Sequence, residues 1–341
     1  MKSSSRIKII IYSILGIIFF ILGITELASG NFMRYMLQIF LYITIGEMWN
    51  LLSGFAGMTS LGQQAYIGLA GYSVAMVTTV YKLHYSVGIL LGVVIGTIVS
   101  ALLAFLLLRM QGMYFSITTW VVAEALGTFF LSWKYVGQGA GVNVSISPYP
   151  RVGKLYIMAL ILCLLSLLVT YLLMNSRLGL GLTAMRDNID AAVSLGVNIS
   201  KCRFIVYLIA AVFTSLAGAI FFINKGTIYP ESGFSISWTI SMVFIVIIGG
   251  VGTIEGPIVG TVVYVMLQEF LANFPGISNI ILGLIAILVI LFMPEGIVGF
   301  IMERFNGEKV SFRSSGNDKG QGGKLKSDNK KDNKIESPES V

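Results

Sequence analysis

Charged side chains are scarce in this chain. Asp, Glu, Lys and Arg make up 11% of its 341 residues, whereas 56% are hydrophobic. A soluble globular protein would carry about 25% charged residues, most of them on its surface. The composition therefore excludes a soluble globular fold and predicts an all-α, polytopic integral membrane protein.

Residue types that build metal and catalytic sites are also rare. The chain has two cysteines, Cys163 and Cys202, and one histidine, His84. Two cysteines are too few for a disulfide framework or a thiolate metal site. An intramembrane enzyme would need converging His, Cys, Ser or acidic side chains, and His84 lies in a short turn without an obvious partner. No catalytic residue, metal site or cofactor is predicted.

The sequence contains no Gly-x-x-x-x-Gly-Lys-Ser/Thr loop for binding the phosphates of ATP. If ATP drives this protein, the motor must be another polypeptide. The formal net charge of +7 comes from the C-terminal tail and from residues flanking the apolar segments. It therefore does not indicate a nucleic-acid-binding surface.

Ten apolar segments are long enough to be membrane spans, which need about 20 residues each. They are residues 7–25, 35–52, 63–80, 87–108, 113–132, 155–174, 203–223, 237–254, 258–273 and 277–298. Lys2, Arg6 and Lys8 predict a cytoplasmic N-terminus, and the even number of spans places the C-terminus there too. Lys and Arg are nearly balanced between the loops on the two sides, so the termini carry this orientation.

Two regions follow from this pattern. Residues 1–305 are predicted to form the transmembrane domain. Residues 306–341 are rich in Lys, Gly, Ser, Asn and Asp and have almost no apolar content. They are predicted to form a disordered cytoplasmic tail.

The longest polar stretch with an ordered pattern is residues 177–203. Gly179 and Gly181 are expected to break the preceding helix, and Thr183 can cap a new helix beginning near Leu182. The apolar side chains of this helix then fall on one face: Leu182, Met185, Ile189, Ala192 and Val193. The polar side chains point away from that face: Thr183, Arg186, Asp187, Asn188 and Asp190.

The end of this helix also has recognisable signals. Gly196 can end it in a left-handed turn, and Asn198 can cap the membrane helix that follows. One interpretation of the whole stretch is an amphipathic connector resting on lipid headgroups. The other is a docking helix for a partner protein.

Two Gly-rich turns interrupt the apolar pattern. Residues 49–72 contain Gly54, Gly57 and Gly62 together with Thr59, Ser60, Gln63 and Gln64, and residues 249–260 contain the second turn. The first turn is either a tight cytoplasmic connection or irregular backbone lining a solute path. The pair suggests two related halves around such a path. Candidate path residues are Asn50, Gly57, Ser60, Gln63, Gln64, Glu124, Gly250 and Gly252.

Three carboxylates fall within predicted spans: Glu47, Glu124 and Glu269. An ionisable side chain at membrane depth costs about 2.5–3.5 kcal/mol, so each should face the protein interior or a cavity. Each has either a pathway role or a neutral, hydrogen-bonded packing role. An ion-gradient-driven secondary transporter could use them as proton sites.

Several motifs resemble one family. Ala184 to Asn188 read Ala-Met-Arg-Asp-Asn, and this stretch resembles the cytoplasmic coupling loop of ABC-importer permeases. Residues 50–62 and 249–260 carry Asn-Leu-Leu, Gly-x-Ala-Gly, Ser-Leu-Gly and Gly-Gly-x-Gly-Thr in the order found in LivM-type branched-chain amino acid permeases. Met58 and Gln63 depart from that pattern, where Gln and His are usual. The resemblance covers about residues 40–300.

The resemblance implies a permease subunit in the plasma membrane of a prokaryote. Its partners would be ATP-binding subunits, a second, homologous permease subunit, and an extracytoplasmic solute-binding protein. Leu, Ile and Val are the family's usual cargo, and relatives carry urea, nucleosides or other small solutes. The residues that would couple it to the ATP-binding subunit are Gly181, Ala184, Arg186, Asp187, Asn188, Ala191, Ala192 and Gly196.

Overall fold

The structure is a computed structural model that describes residue 19 and residues 30–107, 109–110, 112–146, 149–271, 278–293 and 296–300. Its longer helices are α1 (Gly30–Asn50), α2 (Gln64–Thr79), α3 (Tyr85–Leu107), α4 (Met113–Ser132), α5 (Val152–Met174), α6 (Arg177–Asp187), α8 (Ile199–Lys225), α10 (Ile236–Gly249), α11 (Gly256–Leu271) and α12 (Ser278–Phe292). Two helices are short, namely α7 (Ile189–Ser194) and α9 (Pro230–Gly233).

Short elements complete the described chain. A π-helical turn, Leu51–Phe55, continues α1, and two 3₁₀ turns follow α4, at Lys134–Val136 and Gln138–Ala140. Strand β1 (Val142–Asn143) pairs antiparallel with β2 (Thr227–Ile228), with Val142 opposite Ile228.

Helical segments that are long and apolar enough to cross a membrane confirm a multi-pass membrane protein. Among the described residues there are five: Tyr85–Leu107, Met113–Ser132, Val152–Met174, Ile199–Lys225 and Pro230–Gly249. All ten predicted spans except the first overlap a described helix. The first, residues 7–25, lies outside the described residues apart from Phe19, and the predicted tail, 306–341, lies wholly outside them.

Helix α8 lies at the centre of the packing and contacts α1, α2, α3 and α5. Small residues allow α3 to approach its neighbours closely. A Cβ atom at Gly88 would lie 2.8 Å from the Val74 Cα, and one at Gly92 would lie 2.9 Å from the Ala70 Cα. These glycines therefore provide a smooth face on which backbones approach.

The predicted start of the helix in residues 177–203 is wrong. Helix α6 begins at Arg177, where the Ser176 hydroxyl accepts a hydrogen bond from the Leu178 amide at 3.2 Å. Gly179 and Gly181 lie inside α6 rather than before it. At Gly179 a Cβ atom would meet the Met174 Cα at 2.6 Å, so this glycine allows α6 to pack tightly against the end of α5.

A break at Asn188 divides this stretch into two helices, α6 and α7. Asn188 has extended backbone angles and caps α7 by accepting from the Ala191 amide at 3.0 Å. The predicted end is confirmed, because Gly196 has a φ of +82°. Asn198 caps α8 as predicted, accepting from the Lys201 amide at 3.0 Å.

Candidate functional site

The regular hydrogen bonding of α1 changes at Asn50, where the first Gly-rich turn begins. Residues Leu51–Phe55 form a π-helical turn, closed by a 2.8 Å hydrogen bond from the Met58 amide to the Leu52 carbonyl. Gly57 follows with a φ of +66°, which favours glycine because it has no Cβ. The chain then runs without regular helix until α2 begins at Gln64.

The side chain of Asn50 joins the two Gly-rich turns. Its Nδ2 donates to the Thr253 carbonyl at 2.8 Å, and its Oδ1 accepts from the Gly252 amide at 2.8 Å. Asn50 is fully buried. A buried carboxamide whose donor and acceptor are both satisfied fixes the relative position of the groups that it joins.

Arg186 of α6 contacts the first turn from the other side. Its Nη1 donates to the Gly54 carbonyl at 3.0 Å, and its Nε lies 3.1 Å from Oδ1 of the exposed Asp187. A Cβ atom at Gly57 would lie 3.3 Å from the Arg186 Cγ, so the side chain of Arg186 passes directly over this glycine. Arg186, predicted to point toward a partner, thus also binds the chain's own first turn.

Apolar contacts support the same junction. Leu182 and Met185 on α6 are buried in one hydrophobic cluster with Leu51, Leu52 and Phe55 of the π-helical turn. The predicted apolar face is therefore correct for these two residues and for the buried Ala192, whereas Val193 is 57% exposed.

Hydrogen bonds from α1 and α4 hold the middle of the first turn. The Trp49 Nε1 donates to the Ser60 carbonyl at 2.9 Å. The Ser116 hydroxyl donates to the Thr59 carbonyl at 2.6 Å, and the Thr119 hydroxyl accepts from the Leu61 amide at 3.1 Å. Because this segment is not regular helix, its backbone groups form hydrogen bonds with side chains instead.

The two glutamines at the end of the turn face neighbouring helices. The Gln63 Oε1 accepts from the Thr214 hydroxyl of α8 at 3.1 Å. The Gln64 Oε1 accepts from the Thr239 hydroxyl of α10. Both glutamines and Ser60 are fully buried. Four of the predicted path residues of this turn therefore lie in the chain's interior, namely Asn50, Ser60, Gln63 and Gln64, whereas Gly57 is exposed.

The second Gly-rich turn is held mainly by backbone contacts. Gly250 and Gly252 have φ values of 132° and 73°. A Cβ atom at Gly249 would meet the Gly256 Cα at 3.0 Å, and one at Gly260 would meet the Gly249 amide nitrogen at 3.0 Å. Here α10 and α11 touch almost backbone to backbone.

The three membrane carboxylates lie in different environments. Glu47 is fully buried beside Thr170 and Asn50. Glu124 is exposed on α4 and does not face the interior of this chain; that it faces a cavity stays a prediction. Glu269 is also exposed and accepts from the Tyr35 hydroxyl at 2.8 Å. The structure does not bring the three together.

The predicted coupling residues divide by exposure. Gly181 and Ala192 are buried within the chain, and a Cβ atom at Gly181 would lie 3.3 Å from the Val197 Cγ1. A contribution of these two residues to coupling would therefore come from packing rather than from direct contact with a partner. The exposed residues of the set are Asp187, Asn188, Ala191 and Gly196.

Sequence reasoning missed the hydroxyl and indole groups that hold the first turn: Trp49, Ser116, Thr214 and Thr239. Their only signal is the presence of isolated polar side chains in apolar helices. That signal does not identify which distant group each one binds.

Comparison with known proteins identifies related sequences. The sequence profile of the family described as branched-chain amino acid transport system / permease component matches residues 31–293. The permease protein LivM of a high-affinity branched-chain amino acid transport system in Salmonella typhimurium is 26% identical over 288 residues, covering 76% of this chain and 68% of that protein. Its Escherichia coli counterpart is 25% identical over the same lengths.

A shorter match is to a probable branched-chain amino acid transport permease protein, LivH, of Methanocaldococcus jannaschii. It is 24% identical over 204 residues, covering 57% of this chain and 60% of that protein. No solved structure matches the chain.

Proposed function

The chain belongs to the family of branched-chain amino acid transport permease components, and we propose that it forms, with a second permease subunit, the translocation path of an ABC importer for Leu, Ile and Val. Similarity to permease proteins of branched-chain amino acid transport systems supports the cargo. An ATP-binding subunit on another chain supplies the energy, and an extracytoplasmic solute-binding protein delivers the solute.

The contact between α6 and the first Gly-rich turn is the observation that carries the mechanism. Helix α6 is amphipathic, and its inner face is buried against the π-helical turn of residues 51–55. Its charged residue Arg186 binds the Gly54 carbonyl. A partner that moves α6 would therefore move the backbone of this turn, which is the requirement for alternating access.

The outer face of α6 and α7 suits a protein partner. Leu180, Val193 and Leu195 are 72%, 57% and 79% exposed, and the acidic Asp187 and Asp190 lie among them. Apolar anchors within a charged surface are typical of protein interfaces. In this proposal residues 177–203 lie in the cytoplasm with both chain termini and receive the ATP-binding subunit.

The number of spans and the solute path belong to the same proposal. Ten spans are proposed, and the two Gly-rich turns with Asn50, Gln63 and Gln64 lie along or just below the path. The exposed Glu124 contributes only if the path runs between two permease subunits. An ion-gradient-driven transporter is the competing function, and the buried Glu47 is the observation that favours it.

Uptake of radiolabelled leucine tests the proposal in cells that express this chain with the genes beside its own. We expect accumulation that stops when ATP is depleted while the ion gradient is held. Excess isoleucine or valine should compete, and urea or nucleosides should not. ATP-dependent uptake of another solute would refute the cargo, and uptake that follows the ion gradient would refute the ABC mechanism.

A further inference from the structure

We propose that Arg186 and Asn50 form a two-step link that transmits movement of α6 to both Gly-rich turns, with Arg186 as the positioning residue for the first turn and Asn50 for the second. This inference rests on the proposed function, because it specifies how a partner bound to α6 would act on the membrane part of the chain.

The first step runs from α6 to the π-helical turn. A guanidinium bond to a carbonyl is charge-assisted and directional, and here it joins Arg186 to the Gly54 carbonyl at 3.0 Å. The stem of Arg186 also lies over Gly57. Two contacts at residues 54 and 57 fix both the distance and the register between α6 and the turn.

Asp187 orients the guanidinium. Its Oδ1 lies 3.1 Å from the Arg186 Nε, and its side chain is 70% exposed. This pairing leaves the Nη1 directed at the Gly54 carbonyl. The exposed Asp187 therefore orients the guanidinium of Arg186, which binds the turn.

The second step runs from the first turn to the second. A Cβ atom at Gly54 would lie 2.6 Å from the Gly252 amide nitrogen, so the two backbones touch. Asn50 closes this contact with its two 2.8 Å hydrogen bonds to Gly252 and Thr253. Movement of residues 50–57 therefore reaches α10 and α11, whose ends carry the second turn.

Apolar packing of Leu182 and Met185 holds α6 to the same turn, but such packing is not directional. It keeps the surfaces together and allows sliding. The hydrogen bonds of Arg186 and Asn50 remove that freedom, so removing them should uncouple movement without separating the elements.

Labelling of a cysteine in the second turn tests the link without knowledge of the cargo. Both native cysteines are buried, and Ile254→Cys introduces a partly exposed thiol. In the complex purified with its permease and ATP-binding partners, the rate of maleimide labelling at this thiol should change when ATP is added. Arg186→Met, which keeps the stem and removes the donors, should abolish that change.

Activity measured on the same preparation separates uncoupling from failed assembly. With Arg186→Met, ATP hydrolysis should persist while ATP-driven leucine uptake falls about tenfold, the loss expected for a charge-assisted hydrogen bond. Arg34→Met is the control, because Arg34 is an exposed arginine on α1, outside the stretch 177–203 that is proposed to receive the ATP-binding subunit. It should retain both activities and the labelling change.

A second variant tests whether the two steps act in series. Asn50→Asp keeps the acceptor for the Gly252 amide and loses the donor to the Thr253 carbonyl. If the steps are in series, Arg186→Met and Asn50→Asp together should reduce uptake no more than the worse single variant. Multiplying losses would overturn the proposal. Thermal unfolding of each variant identifies any loss that comes from misfolding.

Three further outcomes test the proposed link. A labelling change that survives in Arg186→Met, or is absent in the parent complex, overturns the link. Equal losses of hydrolysis and uptake in Arg186→Met would indicate docking instead. If the parent complex hydrolyses ATP and shows the labelling change but does not take up leucine, the link stands and only the proposed cargo fails.

Discussion

The two Gly-rich turns, within residues 49–72 and 249–260, meet at Asn50 and are held by different kinds of contact. The first is secured by side chains from five helices, including Trp49 of α1, Thr119 of α4 and Arg186 of α6. In the second, glycines bring backbones together, with Gly260 against the Ile245 carbonyl and the Gly249 amide.

The two kinds of contact indicate which turn can move. A net hydrogen bond contributes about 0.5–1.5 kcal/mol and can be exchanged for another. Close-packed backbone offers no such exchange, since any added atom must displace a neighbour. The first turn is therefore suited to rearrangement, and the second to moving as one body with α10 and α11.

The largest effect should follow from adding one methyl group to the second turn. In Gly260→Ala the new Cβ would overlap the Ile245 carbonyl oxygen. Overpacking against backbone should lower the free energy of unfolding by about 3 kcal/mol or more. The measurement is the thermal unfolding midpoint in detergent.

Gly283→Ala is the control for this substitution. Gly283 is also within an apolar helix, α12, and among the described residues no atom lies within 4 Å of a Cβ built there. Its midpoint should stay the same or rise, because alanine favours helix. Similar midpoints for the two variants would show that the second turn is not held by backbone contact.

A smaller effect is expected from removing one hydroxyl that holds the first turn. Thr119→Val keeps the shape of the side chain and leaves the partly buried Leu61 amide without its acceptor. The cost should be about 1–3 kcal/mol, measured by the same unfolding midpoint. Thr118→Val is the matched control, because the Thr118 hydroxyl bonds to the Tyr114 carbonyl of its own helix at 2.7 Å. An equal loss in both variants would contradict the role given to Thr119.

Much of the helical fold could be predicted because long apolar segments of a sequence indicate membrane helices. The start of α6 could not be predicted, because glycines such as Gly179 and Gly181 usually destabilise a helix. Here Gly179 is instead needed for close contact with the Met174 backbone. Local signals identified the caps at Asn198 and Gly196, whose partners lie within a few residues.

The candidate site was predictable only in part. Polar residues in an apolar chain marked the first turn, but nothing local indicated that Gln63 would meet Thr214, which lies 151 positions later. Most hydroxyls in these helices bond to their own backbone, as Thr44 does to the Phe40 carbonyl. An apolar run also predicts that a helix lies in the membrane, but it does not indicate which side of that helix faces the interior of the chain. The exposure of Glu124 on α4 therefore could not be predicted.

The smallest effect should come from Gly252, where the second turn needs a positive φ. Its φ is +73°, a region that costs an ordinary L-residue about 1 kcal/mol and that Asn enters more easily. Gly252→Asn should therefore lower the unfolding midpoint less than Gly252→Ala, although Asn is larger. The reverse order would show that size limits this position as it does Gly260. The second turn would then be sterically closed along its whole length, and its contrast with the first turn would be sharper still.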